Sequence, residues 1–144
     1  MNLRADWRPN GPQAARDTVS FNVSANGSDF RVTNDALQEE RGQRQRQELR
    51  DNSLSVSWQR LFSDRTVGNF ALFHRRHESK LFGSENDVPI FAEQDRAHTR
   101  AGLIASLTRQ TGAFMGGGHT LKTGVEASRV APREFFTFYI TDED

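Results

Sequence analysis

Apolar and polar residues alternate along most of this chain with a period of two, the spacing that sends successive side chains to opposite faces of a β-strand. From Asn2 to Pro9, Leu3, Ala5, Trp7 and Pro9 interleave with Asn2, Arg4, Asp6 and Arg8, and Asn10-Gly11-Pro12 then supplies a turn. The alternation resumes at Asp17, with Val19, Phe21, Val23 and Ala25 opposite Thr18, Ser20, Asn22, Ser24 and Asn26. It predicts a strand to about Val32 and a polar loop over 34–42. A third strand is predicted over 43–62, clearest where Leu54, Val56 and Trp58 alternate with Ser53, Ser55, Ser57 and Gln59; Ser63-Asp64-Arg65 makes a short turn. The fourth strand, over 66–82, has no clean parity, since Val67, Ala71 and Phe73 oppose Phe70 and Leu72. An acidic loop is predicted over 83–94, and a fifth strand over 95–109 with Ala101, Leu103, Ala105 and Leu107 on one face. After a glycine-rich turn over 112–118, a sixth strand runs from His119 to Ile140, with Pro132 marking an edge or a bulge.

Strands this long are unusual, because soluble sheets average about 5–6 residues per strand. The connections also alternate: those near 10–16, 63–65 and 111–118 are short, and those near 34–42 and 83–94 are longer and charged. A meander built this way gathers short turns at one end and long loops at the other, the layout of an outer-membrane barrel. The expected fold is therefore all-β, an antiparallel up-and-down meander of about six long strands forming part of a transmembrane β-barrel. A soluble β-sandwich, for instance a ligand- or carbohydrate-binding module, carries the same alternation with its apolar face turned to a second sheet. That alternative stays open.

Composition narrows the classes. The 144 residues hold 19 basic and 19 acidic side chains, a net charge of zero that gives no basic excess for nucleic acid. There is no cysteine, which excludes disulfides, thiolate metal sites and cysteine nucleophiles. Leu, Ile, Val and Phe make up only 32 of the 144 residues, few for a chain that builds its own core. Mean hydropathy is −0.74, and no stretch approaches the ~18–20 apolar residues of a membrane-crossing helix. A barrel strand escapes that exclusion because only every second residue meets lipid. The first seven residues, Met1 to Trp7, contain no apolar export segment.

Three stretches resemble the barrel of TonB-dependent outer-membrane receptors. They are Asp51-Asn52-Ser53-Leu54-Ser55-Val56-Ser57-Trp58, Val67-Gly68-Asn69-Phe70-Ala71-Leu72-Phe73-His74-Arg75, and His119-Thr120-Leu121-Lys122-Thr123-Gly124-Val125-Glu126-Ala127-Ser128-Arg129, the last followed by the aromatic run Phe135 to Ile140. The resemblance covers most of the chain from about residue 16. It implies a fragment, residues 1–144, of a larger barrel wall without plug domain or signal peptide, since about six strands fall short of the eight that close the smallest bacterial barrel. It further implies a location in the outer membrane and a part in energised uptake of a substrate that the sequence does not identify. The implied partners are outer-membrane lipid and lipopolysaccharide, the remaining barrel and plug, and the TonB complex acting through the plug; no nucleic acid and no cofactor are implied.

No nucleophile–base–acid set is present, so no enzymatic role is expected. His74 and His77 lie three apart and fall on opposite faces of a strand, a poor start for a metal site. Glu85, Asp87, Glu93 and Asp95 lack the spacing of a calcium loop and are expected in a solvated loop. Ser55, Ser57, Arg100, Lys122 and Glu126 are the expected lumen-lining residues. Trp7, Trp58, Phe136, Phe138 and Tyr139 are expected interfacial aromatics. Arg44 and Arg46 share the parity of Leu54 and Trp58 and are the expected lipopolysaccharide contacts. In the sandwich alternative the same aromatics are core.

Overall fold

The fold was obtained as a computed structural model, which describes residues 1–9, 16–114 and 116–141. Six strands, β1 (Asn2–Trp7), β2 (Asp17–Arg31), β3 (Arg46–Ser63), β4 (Thr66–Phe82), β5 (Ile90–Phe114) and β6 (Gly117–Ile140), form one sheet in chain order, an antiparallel meander. β1 and β6 are its edges, so these six strands do not close into a barrel. The predicted turn at Asn10-Gly11-Pro12 lies outside the described residues, as does Met115 within the expected glycine-rich turn.

The strands outrun their predicted limits. β5 begins at Ile90 and continues to Phe114, giving 25 residues and about 80 Å of extended chain. The expected loop over 83–94 therefore shrinks to 83–89, because its last residues pair across strands: Gln94 donates to Glu134 at 2.8 Å, and the adjoining Asp95 meets Lys80 at 3.8 Å and Arg133 at 3.5 Å. Phe91 stacks on Tyr139 with ring centroids 4.6 Å apart, which holds the same stretch in the ladder. The segment over 34–42 is also more than a loop. It contains a one-turn helix, α1 (Ala36–Glu40), started by a capping box in which Asp35 accepts from the Gln38 amide and Gln38 reaches back to the Asp35 amide. Pro132 sits in the edge strand β6, where its missing N–H is tolerated.

By contact density the chain divides into two units. Unit 1 comprises Met1–Ser24, Ser53–Arg75 and Arg100–Val130 and contains the short hairpin turn of β3 and β4. Most of its apolar side chains share one face, Ile104 of β5 falling on the parity of Arg100 and Ser106 instead. Leu3, Ala5 and Trp7 pair directly with Val23, Phe21 and Val19, and the Phe62 ring covers Gly68. The polar residues share the other, where Ser24 meets Ser53 at 2.8 Å and the Asn22 amide donates to Ser55 at 3.4 Å. The ambiguous fourth strand is settled by Phe73, which lies beneath the Arg100 guanidinium, 5.4 Å from its ring centre, and against Gly102 on this polar face. Leu72 and Phe70 consequently fall with the apolar set.

Unit 2 comprises Ala25–Asn52, Arg76–Thr99 and Ala131–Asp144. It carries α1, the 83–89 loop and a lattice of ion pairs: Arg46 with Asp29, Arg50 with Glu48, Arg76 with Glu78, and Arg96 with Glu134.

Hydrophobic burial is nearly absent. Ala97 is the one buried hydrophobic residue among those described, and the most buried side chain is Asp87. The accessible surface is 10935 Å², whereas a compact monomer of this mass exposes about 7,500 Å².

Candidate functional site: the two faces of the sheet

In a water-soluble sheet the apolar side is covered and the polar side is wet. Along β2, β3 and β4 of unit 1 that order is reversed. Along β2, Phe21 and Val23 are exposed (42% and 41%) while the alternating Asn22 and Ser24 are half-buried. Leu54 and Trp58 of β3 are likewise exposed, and Ser53, Ser55 and Ser57 between them are half-buried. The cause is local. Short hydroxyl and amide side chains hydrogen-bond across neighbouring strands and shield one another, whereas the larger apolar groups stand clear with nothing packed on them.

The expected lumen-lining set falls on the polar face. Ser55 accepts from Asn22, and Arg100 donates to Glu126 at 2.8 Å and to Ser128 at 3.3 Å. Strand alternation adds Ser57 and Lys122. Two glycines allow β5 and β6 to approach here: a Cβ on Gly102 would lie 2.5 Å from the Ala127 carbonyl oxygen, and one on Gly124 2.7 Å from that of Ala105. The contribution of Phe73 to this face was invisible in the sequence, because a phenyl ring on a polar parity carries no signal of its own.

The expected interfacial aromatics separate into two kinds. Trp7 continues the apolar face of unit 1, and Trp58 lies on it with its indole N–H donating to Asp17 at 2.9 Å. Such an arrangement, an apolar ring with one satisfied polar atom, suits a boundary between apolar and wet surroundings. In unit 2 the run from Phe135 splits by parity. Phe136 and Phe138 sit together at 5.6 Å on the side of Glu134, and Tyr139 lies on the opposite side against Phe91. One belt therefore does not contain all three.

Arg46, expected to meet lipopolysaccharide, is occupied: it pairs with Asp29 at 3.4 Å and covers the Phe82 ring at 4.9 Å. Arg44 precedes β3, is exposed and has no ion-pair partner among the described residues. Charge is unevenly divided. Unit 1 has 10 basic and 4 acidic residues, a net of +6, and unit 2 has 9 basic and 15 acidic, a net of −6.

The acidic segment corrects the expectation of a solvated loop. Asp87 is 1% exposed. Its Oδ2 accepts from the Ser84 amide at 2.8 Å and from Gln45 Nε2 at 2.9 Å, and its carbonyl accepts from the Thr141 hydroxyl. Gln43, also buried, donates to the Val88 carbonyl at 2.9 Å, and the Thr141 amide donates to that of Pro89. The loop is thus tied to the segment before β3 and to the residue after β6. Glu134 accepts from Arg96 at 2.6 Å and from Gln94 at 2.8 Å, and these donors hold its carboxyl below the usual glutamate range. His77 lies 3.9 Å from Asp51, His74 is exposed on the other parity, and the described residues contain no group of three or more potential metal ligands. No protein-family model matches the chain, and no curated protein does.

Proposed function

We propose that this chain is a section of the wall of a transmembrane β-barrel, with the apolar face of unit 1 turned to acyl chains and its polar face to a wet lumen. The observation that carries the reading is the reversed exposure of the two faces, together with a surface roughly 3,400 Å² larger than a compact monomer of this mass would show. An apolar surface of that kind is not stable in water without a cover. The strand segments of unit 1 have a fitting length: Ser53–Ser63 spans 11 residues and Thr66–Arg75 spans 10, against the ~9–11 that a tilted strand needs to cross. Unit 2, with 24 of its 66 residues charged against 14 of 78 in unit 1, suits the part of such a wall outside the hydrocarbon.

The finer reading, a TonB-dependent receptor in an outer membrane, rests on the resemblance of the 51–58, 67–75 and 119–129 stretches. In it the chain contributes wall and lumen surface to energised uptake, Arg100, Glu126, Lys122, Ser55 and Ser57 line the path, and TonB acts through a plug. The chemistry is structural: in hydrocarbon every backbone group must pair between strands, so the open edges β1 and β6 require further strands.

Because the chain has no cysteine, alternate positions of β5 can be probed singly. In vesicles, Ser106→Cys is expected to react with a water-soluble maleimide and Leu103→Cys to resist it. Equal reactivity of the two, with the protein recovered as a compact particle without detergent, would favour a soluble sandwich instead.

A further inference from the structure

The apolar face of unit 1 ends, away from the hairpin turn, in two side chains that no role above absorbs. An open groove of about 690 Å³ is bordered on this face by Leu54, Val56, Leu72 and Leu103, and at its far end by His74 and Arg129. Strand alternation places all six on one side of the sheet, His74 two residues beyond Leu72 on β4 and Arg129 in step with Val125 and Ala127 on β6. The reverse side fixes how β4, β5 and β6 line up here: a Cβ on Gly102 would lie 2.7 Å from the Phe73 ring and 2.8 Å from the Ser128 Cβ. The chain neighbours of those three residues, His74, Ala101 and Arg129, therefore form one row on the apolar face, with the small Ala101 methyl in the middle. His74 and Arg129 stand two strand spacings apart, about 10 Å, a gap that a phosphate fills when the arginine stem leans over the methyl. Both are exposed, and neither has a hydrogen-bond or ion-pair partner among the described residues. No carboxylate of unit 1 competes for them. Of its four acidic residues, Asp6 and Glu126 lie on the polar face bound to Ser20 and Arg100, Asp17 is held near Arg60 at 3.8 Å, and Asp64 lies in the turn between β3 and β4.

We infer that the His74–Arg129 end of this groove holds the phosphate of a single anionic phospholipid, one of whose acyl chains lies along Leu54, Leu72 and Leu103. The inference rests on the lipid-facing reading of the apolar face and adds a fixed site with a headgroup preference to it. Charge complementarity selects the occupant. Arg129 is a cation without a counter-charge at the margin of an apolar surface, and its stem can lie on that surface while its head reaches the polar level. The imidazole of His74 adds an N–H donor even when neutral. A zwitterionic lipid would bring its own cation to the guanidinium, and a soluble phosphate would leave the adjoining groove uncovered. Basic side chains at a membrane surface attract anionic lipids through the same electrostatics.

The test uses the full chain with Trp7→Phe, Trp58→Phe and Leu72→Trp, which places the sole tryptophan in the groove. The chain is reconstituted in phosphatidylcholine vesicles containing a small fraction of lipid brominated on its acyl chains, either phosphatidylglycerol or phosphatidylcholine. Brominated phosphatidylglycerol is expected to quench the tryptophan more strongly at equal mole fraction. R129Q should lower that preference by about fivefold, and H74L should lower it as well. R129K should restore most of it, which separates charge from misfolding. R109Q, at the opposite end of the same face, should leave it unchanged. Equal quenching by the two lipids, or a preference that survives R129Q or H74L, would overturn the inference and leave the lipid-facing reading intact. An equal loss in R109Q would also overturn it, by showing diffuse surface charge rather than a site. Quenching by neither lipid would overturn the lipid-facing reading itself. Loss of the preference on adding excess inorganic phosphate at constant ionic strength would assign the end of the groove to free phosphate, which again overturns the inference.

Discussion

Asp87→Ala should untie the 83–89 loop without unfolding the sheet. The Asp87 carboxyl receives two hydrogen bonds at Oδ2, from the Ser84 amide at 2.8 Å and Gln45 Nε2 at 2.9 Å, and is almost wholly buried. Removing the acceptor leaves two donors unpaired, each costing about 1–3 kcal/mol if it stays buried. One effect opposes this. The other oxygen, Oδ1, is buried and makes no hydrogen bond among the described residues, so the substitution also removes an unfavourable burial. The lower part of the range then applies, about 2–4 kcal/mol of local stability. At 1.4 kcal/mol per decade that is a roughly thirty- to several-hundred-fold rise in the loop's opening constant. Amide hydrogen exchange at Ser84, Asp87 and Thr141 reads it directly. Asp87→Asn, which keeps an acceptor of the same shape, should accelerate exchange about tenfold at most, and Glu85→Ala, at an exposed neighbour, should leave it unchanged. Exchange at Ser84 in Asp87→Ala within threefold of the parent, or slower, would show that relief of the buried oxygen wins and that the clasp is incidental.

Gly102→Val should destabilise the β5–β6 pairing by about 1–3 kcal/mol, because its Cβ would lie 2.5 Å from a backbone oxygen and 2.7 Å from the Phe73 ring. Gly117→Ala meets nothing within 4 Å and should shift a denaturant midpoint imperceptibly. Arg100→Ala, which breaks a half-exposed pair with Glu126, should cost less than about 1 kcal/mol in the same assay, so that a large loss would point to a role for the Phe73 contact instead. Glu134 should titrate below an ordinary glutamate, and Arg96→Gln should return it toward normal, as followed by carboxyl NMR. Because its carboxyl is more acidic in the folded chain, its contribution is present above the unfolded-state value and fades as pH falls through the folded one.

The meander was legible because period-two alternation is written in nearly every strand, and five of the six predicted strands begin and end within three residues of their place. β5 is cut short in the sequence because Glu93 and Gln94 look like loop until Tyr139 and Glu134, distant in sequence, hold Phe91 and Gln94 across the ladder. α1 was missed for a similar reason: five residues leave no room for a helical period, and only the Asp35–Gln38 spacing hinted at a cap. The parity of β4 needed a tertiary contact, Arg100 over Phe73. Asp87 is the hardest case. An acidic residue beside Pro89 reads as solvated, and its burial depends on Gln45 and Thr141, partners 42 and 54 positions away. The polar face could be assembled from alternation alone, whereas the pairing of Arg46 with Asp29, which competes with any anionic ligand, could not.

The bare apolar side of unit 1 bears on how freely this sequence can drift. Side chains in a close-packed interior are constrained by shape, so that a change of one methylene is felt. Leu54, Leu72, Leu107 and Val125 have no such neighbours above them. Exchange among leucine, valine, isoleucine and phenylalanine at these sites should be nearly free, with selection acting on oiliness rather than identity. Gly102 and Gly124, pinned by backbone oxygens, have no comparable latitude. A lineage of such chains would keep its small residues and its rhythm while its outward vocabulary turned over.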